Sequence, residues 1–445
     1  MKSVDLILKG GIVALPDGIG PRDIAVTAGC IVGIGDVSGF AAAETVDCRN
    51  LHILPGVIDS QVHFREPGFE HKEDLETGSR AAVMGGVTLV FEMPNTKPLT
   101  TTAATLADKV ARARDRMFCD FAFYVGGTND NVDDIARMEK LEGSAGIKVF
   151  MGSSTGDLLV EDDSNLDRII SRLSRRAAFH SEDEPRLRAR VSHQVAGDAA
   201  SHPLWRDAEA ARLSTERLLR IARRHGKRVH VLHISTQEEL PLLAANRDVA
   251  TVEVTPHHLT LSSDDYARLG TKLQMNPPVR GLEHQQALWA AINSGLVDVL
   301  GSDHAPHTRE EKAKPYPASP SGMPGVQTLV PIMLDHVNKG RLTLERLVDL
   351  TAHGPQRIFG LARKGRIAEG YDADFTIVDL KRRETIRNTW IESRCGWTPY
   401  DGVAVTGWPV GTFVRGRKVM WQGEIMAKAT GQPATFIETL PAGEK

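Results

Sequence analysis

Cysteine is scarce in this 445-residue chain: Cys30, Cys48, Cys119 and Cys395 lie far apart, with no C-x-x-C spacing. That argues against a disulfide framework or a thiolate zinc knuckle and fits free thiols in a reducing cytosol. No apolar run approaches the roughly 20 residues of a membrane helix. The opening MKSVDLILKGGIVALPDG has too short an apolar stretch for a secretory signal and alternates as a strand does. A cytoplasmic location is therefore expected. Basic excess is also missing: the net charge is −3, so neither nucleic acid nor a membrane surface is an expected partner. Hydrophobic content of 41% and charged content of 25% are those of an ordinary soluble protein. No internal repeat or low-complexity tract is apparent.

What the chain does have is five short apolar runs that each end on, or closely precede, a metal-binding or proton-carrying side chain. They are VIDSQVHF with His63, GIKVFM with Lys148, AAFHSE with His180, VHVLHIS with His233 and VDVLGSD with Asp303. Runs that are β-branched and almost wholly apolar read as buried parallel strands. TLVFEM (88–93), DFAFYVG (120–126) and VATVEVTP (249–256) bring the number to eight. Helix-period segments such as 101–116 and 130–143 lie between them. This is the pattern of a TIM (β/α)8 barrel, an α/β fold whose active site collects at the C-terminal ends of the strands.

Residues 1–54 and 364–445 read instead as short strands broken by Gly and Asp. The expected organisation is a barrel over 55–363, with a small β-rich domain assembled from both chain ends. The stretch 304–325 reads as a long loop after the eighth strand. The charged segments 161–165 and 174–191 read as solvated surface.

A lone histidine at a strand end is more often structural than a ligand. Three on separate strand ends, joined by Asp303, point to zinc or a similar divalent ion. Lys148 sits inside an apolar strand, where an unpaired ammonium is costly. Burial favours its neutral amine, which can add CO2 and become an anionic, potentially bridging ligand. Asp303 beside an ion can ligate it and take a proton from the attacking water, whose pKa such an ion lowers to about 7. Arg65, Asn95, Asn276 and His307 each follow a strand and together offer a clamp for a carboxylate and the amide edge of a ring.

The motifs HFREPG, EMPNT, EVTPHH, MNPPVR and DHAPHT resemble, in combination, those of the long-chain dihydroorotases of the amidohydrolase superfamily. The resemblance runs from LPGVID to the strand-rich tail. It implies a metal-dependent cyclic amidase that interconverts (S)-dihydroorotate and N-carbamoyl-L-aspartate in pyrimidine biosynthesis. It implies His63, Lys148, His180, His233 and Asp303 as ligands of one or two Zn2+ ions, with Lys148 carboxylated and Asp303 as the catalytic proton carrier. Arg65, Asn95, Asn276 and His307 would bind substrate, and the backbone near Gly322 and Pro324 would close over the ring. A homo-oligomer, dimer or tetramer, is implied, with aspartate transcarbamoylase as a further candidate partner.

One departure stands out. The family usually carries His-x-His after the first barrel strand, and this chain has Gln61-Val62-His63. A carboxamide oxygen is a weaker donor than imidazole, so one metal position should bind less tightly. The competing readings are a hydantoinase-like or allantoinase-like cyclic amidase, and a catalytically silent partner of aspartate transcarbamoylase.

Overall fold

The computed structural model describes residues 2–154, 158–441 and 443. The N-terminal part forms β1 (Lys2–Leu15), β2 (Gly18–Thr27), β3 (Cys30–Gly35), β4 (Phe40–Asp47) and β5 (His52–Pro55). The eight apolar runs become β6 (Val57–Val62), β7 (Val87–Glu92), β8 (Asp120–Gly126), β9 (Ser144–Phe150), β10 (Ala177–His180), β11 (Val229–Val231), β12 (Ala250–Val254) and β13 (Val299–Leu300). They pair in chain order and in parallel. Every residue of these strands is buried, as a parallel sheet covered on both faces requires.

The first and last strands meet at their C-terminal ends. The His63 N–H donates to His304 O at 2.7 Å, and Val62 bridges His304 in parallel. The Ser302 N–H donates to Asp59 Oδ1 at 2.9 Å. The sheet is thus a nearly closed barrel, with His63 and Asp303 held side by side at its seam.

Of the helix-period segments, 101–116 yields a helix over Ala103–Ala113 capped by Thr102. The segment 130–143 differs from expectation. It holds only a 3-10 turn, Val132–Asp134, and one helical turn, Ile135–Met138. Its few apolar residues give a longer helix too little to bury, and Gly143 turns the chain at φ +75°. The charged segment 174–191 is not all surface either: Arg175, Glu182 and Glu184 are buried.

The C-terminal part supplies β14 (Phe375–Thr385), β15 (Ala404–Val414), β16 (Arg417–Trp421) and β17 (Glu424–Ile425). β14 pairs antiparallel with β5, so both chain ends build one nine-stranded sheet. Lys364 fastens this sheet to the barrel. Its Nζ lies 2.7, 2.9 and 2.7 Å from Asp120, Asp372 and Asp374, and Arg415 also pairs with Asp120. These three aspartates lie close enough to hold a metal ion, but the Lys364 ammonium already supplies the cation. Asp120 opens β8, at the end of the barrel opposite the seam residues. Among the described residues no helix is long and apolar enough to cross a membrane.

Candidate metal centre and substrate pocket

Gln61, His63, Arg65, Lys148, His180, His233, Asn276 and Asp303 line one pocket, with Phe150, Ser154, Met275 and Gly322 among the other wall residues. Three of these residues hold left-handed backbone without being glycine: Arg65 at φ +65°, His233 at +37° and Asp303 at +45°. Such geometry costs about 1–3 kcal/mol per residue and persists where the surroundings impose it. Buried carboxylates brace two of these turns. Asp59 accepts from the backbone N–H of Ser302 at 2.9 Å, and Glu253 from that of His233 at 3.4 Å.

His180 Nδ1 and His233 Nε2 face each other at 3.1 Å. The other nitrogen of His180, Nε2, lies 2.9 Å from Glu182 Oε2. A carboxylate only accepts, so Nε2 carries the proton and Nδ1 presents its lone pair toward His233. Burial pushes the pKa of both imidazoles down, that of His233 strongly, so the rings stay neutral.

Lys148 is 1% exposed and its Nζ has no hydrogen-bond partner among the described residues. Burial pushes this amine down to about 7, against the opposing pull of Asp303 and Glu253. Across the pocket, His63 Nε2 lies 3.2 Å from Asp303 Oδ1. His63 Nδ1 donates to Asn95 Oδ1 at 2.8 Å, which leaves the Nε2 lone pair facing Asp303. Burial first, and then Glu253, push the Asp303 carboxyl up to about 7.

Gln61 donates from Nε2 to the same Asp303 oxygen at 2.9 Å, while its own Oε1 is buried and unpaired. The donor set fits a divalent cation. Lys148 Nζ, His233 Nδ1 and Gln61 Oε1 are orphaned buried polar atoms on residues of one small pocket. Two imidazole lone pairs converge there, and a carboxylate stands opposite.

Arg65 is the second feature. Its guanidinium is buried, donating from Nε to Pro306 O at 3.1 Å and lying 3.3 Å from His307 Nε2 through Nη2. Burial pulls its pKa down to about 10, against the fields of Asp303, Glu92 and Glu311. No carboxylate pairs with it directly among the described residues. His307 stands behind Arg65 rather than on the pocket wall, and Trp397 Nε1–H donates to its carbonyl at 2.8 Å. Asn95 stands behind His63 in the same way.

Asn276 and Gly322 line the wall; Pro324 does not. A Cβ on Gly322 would lie 2.4 Å from Ala305 O, so only glycine lets this backbone pass there. Sequence reasoning overlooked Glu182, Arg206, His202 and Ser154. The one available signal was Glu182 two residues beyond His180.

The Amidohydrolase family model matches residues 52–163 and 210–419. A dihydroorotase of Halobacterium salinarum is 39% identical over 382 residues, covering 85% of this chain and 89% of that protein. One from Methanosarcina mazei is 35% identical, with 98% of each covered. The solved L-hydantoinase (dihydropyrimidinase) of Arthrobacter aurescens superposes with a TM-score of 0.92 at 32% identity, covering 97% of this chain and 100% of that one. With a matched family model over most of its length and relatives of this similarity, the chain belongs to the amidohydrolase family and is a cyclic-amide hydrolase.

Proposed function

We propose that the chain is a dihydroorotase, opening (S)-dihydroorotate to N-carbamoyl-L-aspartate and closing it again in pyrimidine biosynthesis. The observation that carries this reading is Arg65. A buried guanidinium on the pocket wall, held by the Pro306 carbonyl and by no carboxylate among the described residues, is an anion site awaiting its anion. Dihydroorotate supplies a carboxylate. Hydantoin, dihydrouracil and allantoin rings do not, so the hydantoinase-like reading leaves Arg65 without a partner.

His63, Lys148, His180, His233 and Asp303 would hold the metal, with zinc the ion best suited to this donor set. When bound, the ion polarises the ring carbonyl and acidifies water. Lys148 would serve as its carbamate: the neutral amine forms an N–C bond to CO2 and loses a proton. His63 and His180, fixed in tautomer by Asn95 and Glu182, keep their lone pairs on the pocket.

Asp303, whose carboxyl titrates near neutrality, takes the proton of the attacking water and delivers it to the leaving ring nitrogen. Arg65 grips the ring carboxylate with a forked contact, and Asn276 supplies a further polar contact. Gly322 lets the backbone close over the ring. The experiment is a substrate panel on zinc-loaded protein: dihydroorotate, dihydrouracil, hydantoin and allantoin, each followed by ring opening. Preference for dihydroorotate supports the reading, and preference for a neutral ring replaces it.

A further inference from the structure

Between β10 and β11 a short helical turn, His202–Trp205, buries its first residue and is followed by Arg206, whose N–H donates to His202 O at 3.0 Å. His202 is 0% and Arg206 1% exposed. We propose that this turn is the positioning element of the site, with Arg206 fixing the metal-side imidazole through Glu182 and His202 fixing the ligand-side Asn276. The proposal rests on the metal and ligand roles assigned above.

On the metal side, Glu182 is fully buried. A lone carboxylate there would protonate or destabilise the fold. Arg206 meets it with a fork: Nη2 at 2.5 Å from Oε2, and Nε at 3.1 and 3.2 Å from the two oxygens. With both of its oxygens already accepting from Arg206, Glu182 can only accept from His180 Nε2, which therefore carries the proton and leaves Nδ1 as a ligand. Arg206 Nη2 also donates to Ser153 O at 2.7 Å, beside the pocket residue Ser154.

On the ligand side, His202 Nε2 lies 2.9 Å from both Met275 O and Asn276 Oδ1. Both are acceptors, so Nε2 carries the proton. Burial pushes this imidazole down to about 3, leaving it neutral with Nδ1 as an acceptor for the Tyr316 hydroxyl at 3.3 Å. With its oxygen engaged, Asn276 has its N–H2 group left for the pocket. A donor there suits a carboxylate or carbonyl oxygen of the ligand.

The two arms separate experimentally. Zinc affinity is measured on the full chain by competition with a chromophoric chelator, and KM for dihydroorotate on the zinc-saturated protein. Arg206→Met and Glu182→Gln should each weaken zinc binding about 10- to 100-fold, with Arg206→Lys recovering much of the loss. His202→Phe should leave zinc affinity within about twofold and raise KM roughly five- to tenfold, the loss of one oriented hydrogen bond. Thermal melts identify any variant that fails to fold; Glu182→Gln and Arg206→Lys then decide the metal arm, and His202→Gln the ligand arm.

Unchanged zinc affinity in both Arg206→Met and Glu182→Gln overturns the proposal, as does a parallel fall of metal affinity and KM fitness in every variant. A parent protein that binds zinc but ignores dihydroorotate refutes the proposed substrate while the zinc arm still stands or falls on its own. The ligand arm is then read on the neutral ring the enzyme accepts.

Discussion

Gln61 and His63 converge on one oxygen: Asp303 Oδ1 accepts from Gln61 Nε2 at 2.9 Å and lies 3.2 Å from His63 Nε2. The carboxamide therefore faces the carboxylate as a hydrogen-bond donor, and the proposed metal position beside His63 lacks a second imidazole. The other proposed position, between His180, His233 and Lys148, keeps its full donor set. One tightly bound ion per chain is expected. Gln61→His should raise occupancy toward two, read by metal analysis after dialysis. Two tightly held ions in the unmutated protein would show that Gln61 does not weaken the site.

Arg65→Met should leave zinc content unchanged and raise KM for dihydroorotate strongly. A buried charged contact whose partner is left unpaired costs about 2–5 kcal/mol. Steady-state kinetics beside metal analysis checks both halves. An unaltered KM would remove the carboxylate clamp.

Lys148→Ala should lose both activity and zinc affinity, because among the described pocket residues the Lys148 amine is the only group that can become a carbamate. Added acetate or propionate should restore part of the activity by filling the gap. Full zinc affinity in Lys148→Ala would exclude Lys148 as a ligand.

Removing the metal should lower thermal stability as well as activity. An ion that binds only the folded chain stabilises it by about 2.7 kcal/mol at 100 times its Kd. Chelator-stripped protein should therefore melt below zinc-loaded protein by several degrees, and zinc should reverse the shift. Equal melting temperatures would mean that no tight site exists.

Lys364 is expected to matter for stability and not for metal. It is the ammonium among Asp120, Asp372 and Asp374, and breaking a buried pair by removing one partner costs about 3–5 kcal/mol. Lys364→Met should lower the urea midpoint while zinc content per folded chain stays the same. A zinc loss confined to this variant would instead mark the aspartate cluster as a metal site.

The barrel was legible because a buried parallel strand is apolar throughout, so all eight runs stood out against their polar surroundings. The pocket residues His63, Lys148, His180, His233 and Asp303 were legible for a related reason: each is a polar side chain within, or just beyond, such a run. Glu182, Arg206 and His202 were not. A charged residue in a charged segment reads as surface, and only the fold shows that Arg206, far along the chain, returns to cover Glu182. The segment 130–143 misled in the other direction, since helical spacing of a few apolar residues does not guarantee a groove to bury them. Asn95 and His307 fell where strand ends placed them, but their side chains brace His63 and Arg65, a distinction that spacing alone does not carry.

The most direct test compares kcat/KM of the zinc-loaded protein for dihydroorotate with those for dihydrouracil and hydantoin, in the unmutated chain and in Arg65→Met. The expected result is a preference for dihydroorotate of about 100-fold or more, matching a charged contact of roughly 3 kcal/mol, that collapses in Arg65→Met. Faster turnover of a neutral ring, left untouched by Arg65→Met, would contradict it.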